Sequence, residues 1–268
     1  MTTQAAIAGQ VSTTAAEIYD EFFVPALFGA WAGPLCDRAR VAPGQAVLDV
    51  ACGTGATTRE AVRRVSPGGR VTGLDRNDGM LAVAATHADE IEWVEGLAEA
   101  LPFADEEFDA VLCQFGLMFF DNRAQALSEM RRVVRPNGRI ALSVWDRAEN
   151  SPGYAEMIGL IDSMFGAQAA DALRAPFNLG DRHEFQKVLN AGGLETARIT
   201  TKPGVARFAS IREWVRMDVR GWTLSDFIDD DGFEALVAAA EETFGQFTNP
   251  EGAVEFPAPA HIAVWEHH

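Results

Sequence analysis

The residues best placed to do chemistry lie in one short run, Val47-Leu-Asp-Val-Ala-Cys-Gly-Thr-Gly55. An apolar stretch enters a loop holding Gly53 and Gly55, and an amphipathic segment follows. Glycines in such a loop let a ligand approach the backbone, and the first turn of the next helix carries unpaired amides. A dinucleotide fingerprint requires another glycine three residues after Gly55, but the chain has Thr58 there, which argues against a bound pyrophosphate. Further on, Val71-Thr-Gly-Leu-Asp75 places an acid at the end of a second apolar run. A carboxylate at such a strand end can accept both hydroxyls of an adenosine ribose. Asn77 and Asp78 are better placed to cap the following helix, so Asp75 is assigned to a nucleoside ligand.

Other reactive residue types read as structural. Cys36, Cys52 and Cys113 are widely spaced, form no metal-ligand pattern and have no neighbouring histidine, so neither a metal site nor an activated thiolate is expected. Asp109 is expected to begin a strand, and His183 lies near a helix start. Met118-Phe119-Phe120 is expected to pack against the following helix. Arg212, Arg216 and Arg220 share a helical face; pairing with surface acids is preferred there over binding an anionic substrate.

These residues need a scaffold, and the pattern from residue 46 onward supplies one. Short apolar runs at Ala46–Val50, Val71–Leu74, Ile91–Glu95, Phe108–Cys113 and Arg139–Trp145 alternate with helical segments at Thr54–Val65, Asp78–Ala88 and Asn122–Val134. Such alternation predicts βαβ units building a parallel sheet. Pro136-Asn137-Gly138 reads as a turn before the fifth strand. Leu194–Thr201 and His261–Trp265 supply two more strands. The flanks read as helices: one opened by a capping box at Thr14–Glu17, one started by Pro25, and others at Ser151–Phe165, Asp181–Ala191, Ile211–Arg220 and Gly232–Phe247. Residues 1–268 are expected to form a single domain, with N-terminal helices over 1–43, a core over 44–146 and a helical cover over 147–190 and 204–250.

Composition narrows the partners. The 268 residues carry a formal charge of −17, shared as −8 over residues 1–150 and −9 over the rest. No basic face is hidden by an acidic one, which disfavours nucleic acid. Uncharged stretches are too short for a membrane span, no basic segment precedes an apolar run as in a signal peptide, and unpaired cysteines suit a reducing cytoplasm. Flanking helices offer a surface for a homodimer. Aromatic residues including Phe23, Trp145 and Trp222 suit a flat or apolar acceptor, with Arg220 as a further candidate contact.

Taken in order, VLDVACGTG, GLDRNDGML, GLAEALPFADEEFDAVLCQFGLMFF and EMRRVVRPNGRIALSVW resemble the class I S-adenosylmethionine (SAM) dependent methyltransferases. The likeness is greatest to the small-molecule branch that includes quinone-biosynthesis C-methyltransferases, and it covers about residues 44 to 146. It implies an α/β, Rossmann-like seven-stranded sheet, mostly parallel with an antiparallel last strand, plus helical insertions. It also implies SAM as cofactor and methyl transfer to a small-molecule acceptor. Asp49 would order the first loop; Ala51, Cys52, Gly53 and Gly55 would surround the methionine portion. Asp75 would hold the ribose, with Arg76 and Met80 against the adenine. Gly96, Leu97 and Ala98 would line the adenine edge, Gln114, Phe115 and Leu117 would form a floor, and Tyr19 would close over the cofactor. Two positions depart from the family: Ala51 replaces a usual glycine, and Leu97 replaces an acid that binds the adenine amino group, leaving backbone groups or Glu99 to do so. A noncatalytic SAM-binding protein and a nucleotide-dependent oxidoreductase are the alternatives.

Overall fold

The computed structural model describes residues 13–268 except Asp89 and Trp222. Trp222, expected to contact substrate, therefore lies outside the described residues, as does the Thr14 side chain expected to cap the first helix.

A seven-stranded sheet is ordered β3-β2-β1-β4-β5-β9-β6. Its strands are β1 (Ala46–Val50), β2 (Arg70–Asp75), β3 (Glu92–Glu95), β4 (Phe108–Gln114), β5 (Val134–Trp145), β6 (Arg198–Lys202) and β9 (Ala260–Glu266). The first five are mutually parallel, while β9 runs antiparallel to both β5 and β6. The mostly parallel sheet with an antiparallel last strand is thus present. All five residues of β1 are buried, as expected of a strand covered on both faces.

Helices α3 (Ala56–Val65), α4 (Asp78–Ala85) and α5 (Arg123–Val133) connect the parallel strands. Asn77 caps α4 by accepting from the Met80 N–H at 3.0 Å, and Asn122 caps α5 by accepting from the Gln125 N–H at 3.1 Å. Pro136-Asn137-Gly138 does not separate α5 from the fifth strand: β5 already pairs at Val134 with Phe108, then resumes at Arg139 opposite Ala110. The turn residues form an irregularity within the strand, with Asn137 at φ 65°.

The N-terminal helices also differ from expectation. One continuous run comprises α1 (Thr13–Ile18), a π-helical stretch (Tyr19–Phe28) and α2 (Gly29–Ala39). Pro25 sits inside the π-helical stretch instead of starting a helix. Wider winding there shifts the bonding pattern, as in the Gly29 N–H donating to the Val24 carbonyl, and the proline ring is exposed.

The C-terminal cover is not wholly helical. Besides α6 (Pro152–Phe165), α7 (Ala167–Arg174), α8 (Arg182–Ala191), α9 (Ile211–Arg220) and α10 (Asp230–Thr243), it contains a two-stranded sheet of β7 (Val205–Phe208) and β8 (Val254–Pro257). Its inward residues Phe208 and Phe256 pack on Trp214, with ring centroids 5.5 and 4.8 Å away. Gly153 lets α6 close onto this sheet, because a Cβ there would stand 2.4 Å from the Phe256 ring.

Gly73 plays a similar part in the main sheet. It pairs directly with Trp93 on β3, and a Cβ would lie 2.6 Å from the indole. We predict that Gly73→Ala lowers unfolding stability by about 1–3 kcal/mol, and that Trp93→Val in the same chain recovers most of the loss. Urea melts of the three variants check this; an unchanged midpoint for Gly73→Ala would contradict it.

Candidate functional site

Ligand sites of open α/β sheets form beyond the carboxyl ends of the strands, where loops diverge. Here the chain leaves β1 at Ala51, whose φ of 55° is left-handed, and Gly53 and Gly55 follow at 56° and 83°. These angles turn the chain across the end of β2 and into α3. Ala51 thus occupies a conformation that glycine adopts more readily, and it is the position where the family usually has glycine. Gly55 itself supports packing: a Cβ there would meet the Trp93 ring at 2.5 Å.

Asp75 fastens this turn. Its Oδ2 accepts from the Gly53 N–H at 2.8 Å and its Oδ1 from the Asn77 N–H at 2.9 Å. Burial raises the Asp75 pKa, while the Asn77 and Gly53 amides and the nearby Arg76 charge oppose the shift. The Gly96 N–H donates to the Asp75 carbonyl at 3.0 Å, bringing the loop after β3 alongside. At the other side, Phe115 after β4 has a φ of 55°, and its ring stacks on Trp145 at the end of β5 with a 4.0 Å centroid separation. Tyr19 and Phe28 from the π-helical stretch stack on each other above, 5.2 Å apart.

Together these elements border an open cleft. Of the residues singled out in the sequence, Tyr19, Ala51, Gly53, Asp75, Arg76, Met80, Gly96, Ala98, Gln114, Phe115 and Trp145 stand on its wall. Asp49 and Cys52 line a smaller recess beside the first loop, which shares Tyr19, Phe28, Ala51, Gly53 and Gln114 with the cleft.

Other positions depart from expectation. Leu97 is 52% exposed and is not among the residues that line the cleft. It opens the turn closed by the Ala100 N–H bond to its carbonyl, and Glu99 stands on the wall instead. Leu117 is fully buried in the core, while Met118, Phe119 and Phe120 face the cleft rather than serving only as packing. Phe23 lies on a separate cavity. Arg220 is paired with Asp230 and lies over the Phe233 ring; Arg212 and Arg216 are bound to Glu234 and Glu213. The arginine face is therefore occupied by acids, the reading preferred from its sequence. Phe28 also stands on the wall, although nothing in its neighbourhood along the chain places it near β4 or β5.

The cysteines are poor nucleophiles here. All three are buried and unpaired, and burial pushes Cys36 and Cys113 up to about 12 and Cys52 well above its ordinary value.

Asp49 is the most unusual group. It is buried, its Oδ2 accepts a 2.6 Å bond from the Thr58 hydroxyl, and Oδ1 has no hydrogen-bond partner among the described residues. The residue that breaks the dinucleotide pattern therefore serves to hold this carboxyl. Burial lifts the Asp49 pKa to about 7, with the Thr58 bond opposing and the Asp75 charge adding. Thr54 Oγ1 and Gln114 Oε1, on the same recess, also lack partners among the described residues. Three acceptor oxygens around one recess fit a cationic, hydrogen-bond-donating group such as the ammonium of an amino acid.

Because the folded protein binds the Asp49 proton more tightly than the unfolded chain does, this group withdraws stability as pH rises from about 4 to about 7. Asp49→Asn should thus gain on the parent over that interval. Parallel urea melts at pH 4.5 and 7.5 test the sign; a parent-to-variant difference that does not change with pH would be inconsistent with it.

Comparison with known proteins agrees with this geometry. Residues 48–142 match the family model described as "Methyltransferase domain". Over 126 residues the chain is 40% identical to the ubiquinone/menaquinone biosynthesis C-methyltransferase UbiE of Hahella chejuensis, covering 45% of this chain and 51% of that protein. It is 33% identical over 175 residues to the chloroplastic 2-phytyl-1,4-beta-naphthoquinone methyltransferase of Arabidopsis thaliana, covering 62% and 65%. The matched part thus spans about half to two thirds of these relatives. Among solved structures, a putative methyltransferase from an antibiotic biosynthesis pathway of Anabaena variabilis superposes with a TM-score of 0.64 at 15% identity, covering 87% of this chain and 96% of the other, a likeness of fold. The four ordered motifs, the sheet order and the cleft at its strand ends agree with these matches: over residues 48–142 the chain is similar to a methyltransferase domain, and over its matched part it resembles the quinone-biosynthesis C-methyltransferases.

Proposed function

We propose that the protein transfers a methyl group from SAM to an apolar or aromatic small molecule. The observation that carries this reading is the division of one cleft into a polar end, at Asp75 and the loop after β1, and an aromatic end, at Phe28, Phe115 and Trp145. The relatives named for naphthoquinone and menaquinone methylation support a quinone-type acceptor. Net charge of −17 favours a small molecule over nucleic acid, and the buried, unpaired thiols support a cytoplasmic setting. Among the described residues no helix is long and apolar enough to cross a membrane.

In this reading Asp75 accepts the ribose hydroxyls with the lone pairs left after its two amide bonds, and Met80, Gly96, Ala98 and Glu99 border the adenine. The partnerless oxygens of Asp49, Thr54 and Gln114 receive the ammonium of the methionine portion. Bound SAM supplies an electrophilic methyl on a sulfonium. The chain's part is to orient the acceptor and keep water from the reacting atoms, which the packed rings of Phe28, Phe115 and Trp145 are built to do. Cysteine nucleophilic catalysis has no place in it, since the thiols are buried with raised pKa values.

Asp75→Ala should weaken SAM binding by an order of magnitude or more, as expected for loss of a charge-assisted contact of about 1.5–3 kcal/mol. Calorimetric titration measures this, and affinity within twofold of the parent would place the ribose elsewhere. Trp145→Ala should reduce turnover of a demethylmenaquinol-type acceptor about tenfold or more while SAM affinity falls much less; a radiolabelled methyl-transfer assay reads both. Undiminished turnover would remove Trp145 from the acceptor side, and absence of SAM binding by the parent would overturn the reading itself.

A further inference from the structure

Gln114, the last residue of β4, has a carboxamide whose two ends serve different neighbours. Its Nε2 donates to the Phe28 carbonyl at 3.1 Å, across 86 positions of chain. That bond fixes which way the amide faces, because only its NH2 group can donate to a carbonyl. Gln114 also stands on the recess beside the first loop, and its Oε1, buried, has no partner among the described residues. Holding Phe28 does not by itself require an unpaired buried oxygen, which is unfavourable unless a ligand meets it.

Phe28 closes the π-helical stretch Tyr19–Phe28. Its ring lies 5.6 Å from that of Phe115 and 5.8 Å from that of Trp145, so it belongs to the aromatic end of the cleft. Earlier in the stretch the ties run to residues that do not line the cleft: Asp20 pairs with His87 at 2.7 Å and faces Arg59 at 3.6 Å, and the Phe22 ring lies under the Arg216 guanidinium at 4.3 Å. The Gln114 amide instead joins the stretch to the end of the sheet, beside the cofactor recess. A cation on an amide oxygen polarises the group and makes its N–H a stronger donor, since linked hydrogen bonds reinforce one another in a low dielectric. An ammonium on Oε1 therefore tightens the bond from Nε2 to Phe28.

We propose that Gln114 is a positioning residue that passes cofactor occupancy to the acceptor end of the cleft. When the ammonium of SAM engages Oε1, the amide fixes the Phe28 carbonyl, and with it the seating of the Phe28 ring against Phe115 and Trp145. The acceptor wall is completed by the cofactor, so acceptor binding follows cofactor binding. The place of the ammonium rests on the methyltransferase reading above; the coupling through Gln114 is a separate claim and is measured separately.

Amide hydrogen exchange is followed in the 268-residue chain with and without S-adenosylhomocysteine, which carries the same ammonium, and calorimetry gives its affinity. In the parent the ligand should slow exchange over residues 19–29 about fivefold or more beyond its effect on α8, a helix that contributes nothing to the cleft wall. Gln114→Met, similar in length but without the amide, should speed exchange over 19–29 and cancel that extra slowing at saturating ligand. A merely structural tie predicts the faster exchange with the ligand's slowing retained, and that result would overturn the proposal. In the unmutated protein the Gln114 side-chain amide protons should move downfield on adding S-adenosylhomocysteine, a readout that does not depend on the variant folding. Unmoved resonances, or slowing over 19–29 no greater than over α8, would also overturn it while leaving the methyltransferase reading intact. No binding of S-adenosylhomocysteine would overturn that reading and the proposal with it.

Discussion

The carboxylate of Asp75 accepts one amide proton from Gly53 and another from Asn77, joining the loop after β1 to the loop after β2. Most of the polar half of the cleft follows from that pair of bonds. Strands β1 and β2 are parallel and in register up to Val50 and Leu74, so the next residues could diverge freely. The left-handed angles of Ala51, Gly53 and Gly55 bend the first loop back toward Asp75, and the carboxylate holds it there. Because the same group remains on the cleft wall, one buried carboxylate both organises the scaffold and faces the cleft. Its raised pKa reflects the cost of burying it; the amides reduce that cost.

Two carboxyls, Asp49 and Asp75, share this region and each is raised by burial, with Asp75 also raising Asp49. The raised pKa values of both carboxyls and the Asp49 Oδ1 that has no partner among the described residues mean the site is not electrostatically self-sufficient. In the proposed reading, a ligand with positive charge and hydroxyl donors supplies what these groups lack, so that its binding would stabilise the first loop. The other end of the cleft needs no such compensation. Phe115 and Trp145 stack closely and Phe28 and Trp31 pack on them, forming a dry, rigid wall whose dispersion contacts are already satisfied.

The cover over this wall is held by carbon more than by charge. Trp214, Phe208, Phe244 and Phe256 form a fully or almost fully buried cluster that fixes α9 against the small sheet. Surface pairs such as Arg212 with Glu234 are exposed and contribute little to stability. That packing places Asp218, on the buried side of α9, at the cavity beside Phe23.

The sequence by itself determined the five-strand core, the glycine loop and the acid at the end of β2, because apolar periodicity and turn-forming residues act over a few neighbours. It also carried four ordered motifs that resemble those of the methyltransferases. Tertiary structure decided the rest. Pro25 looked like a helix start, yet π-helical winding absorbs it; strands β7 and β8 pair across some 46 positions of chain that no local pattern connects. Leu97 and Glu99 exchanged expectations because a single tight turn decides which of the two faces the cleft. Phe28 meets Trp145 and Gln114 only once the chain has folded. Local propensity reads spacing along the chain, whereas a cleft wall is a meeting of residues distant in sequence, fixed by how whole elements pack.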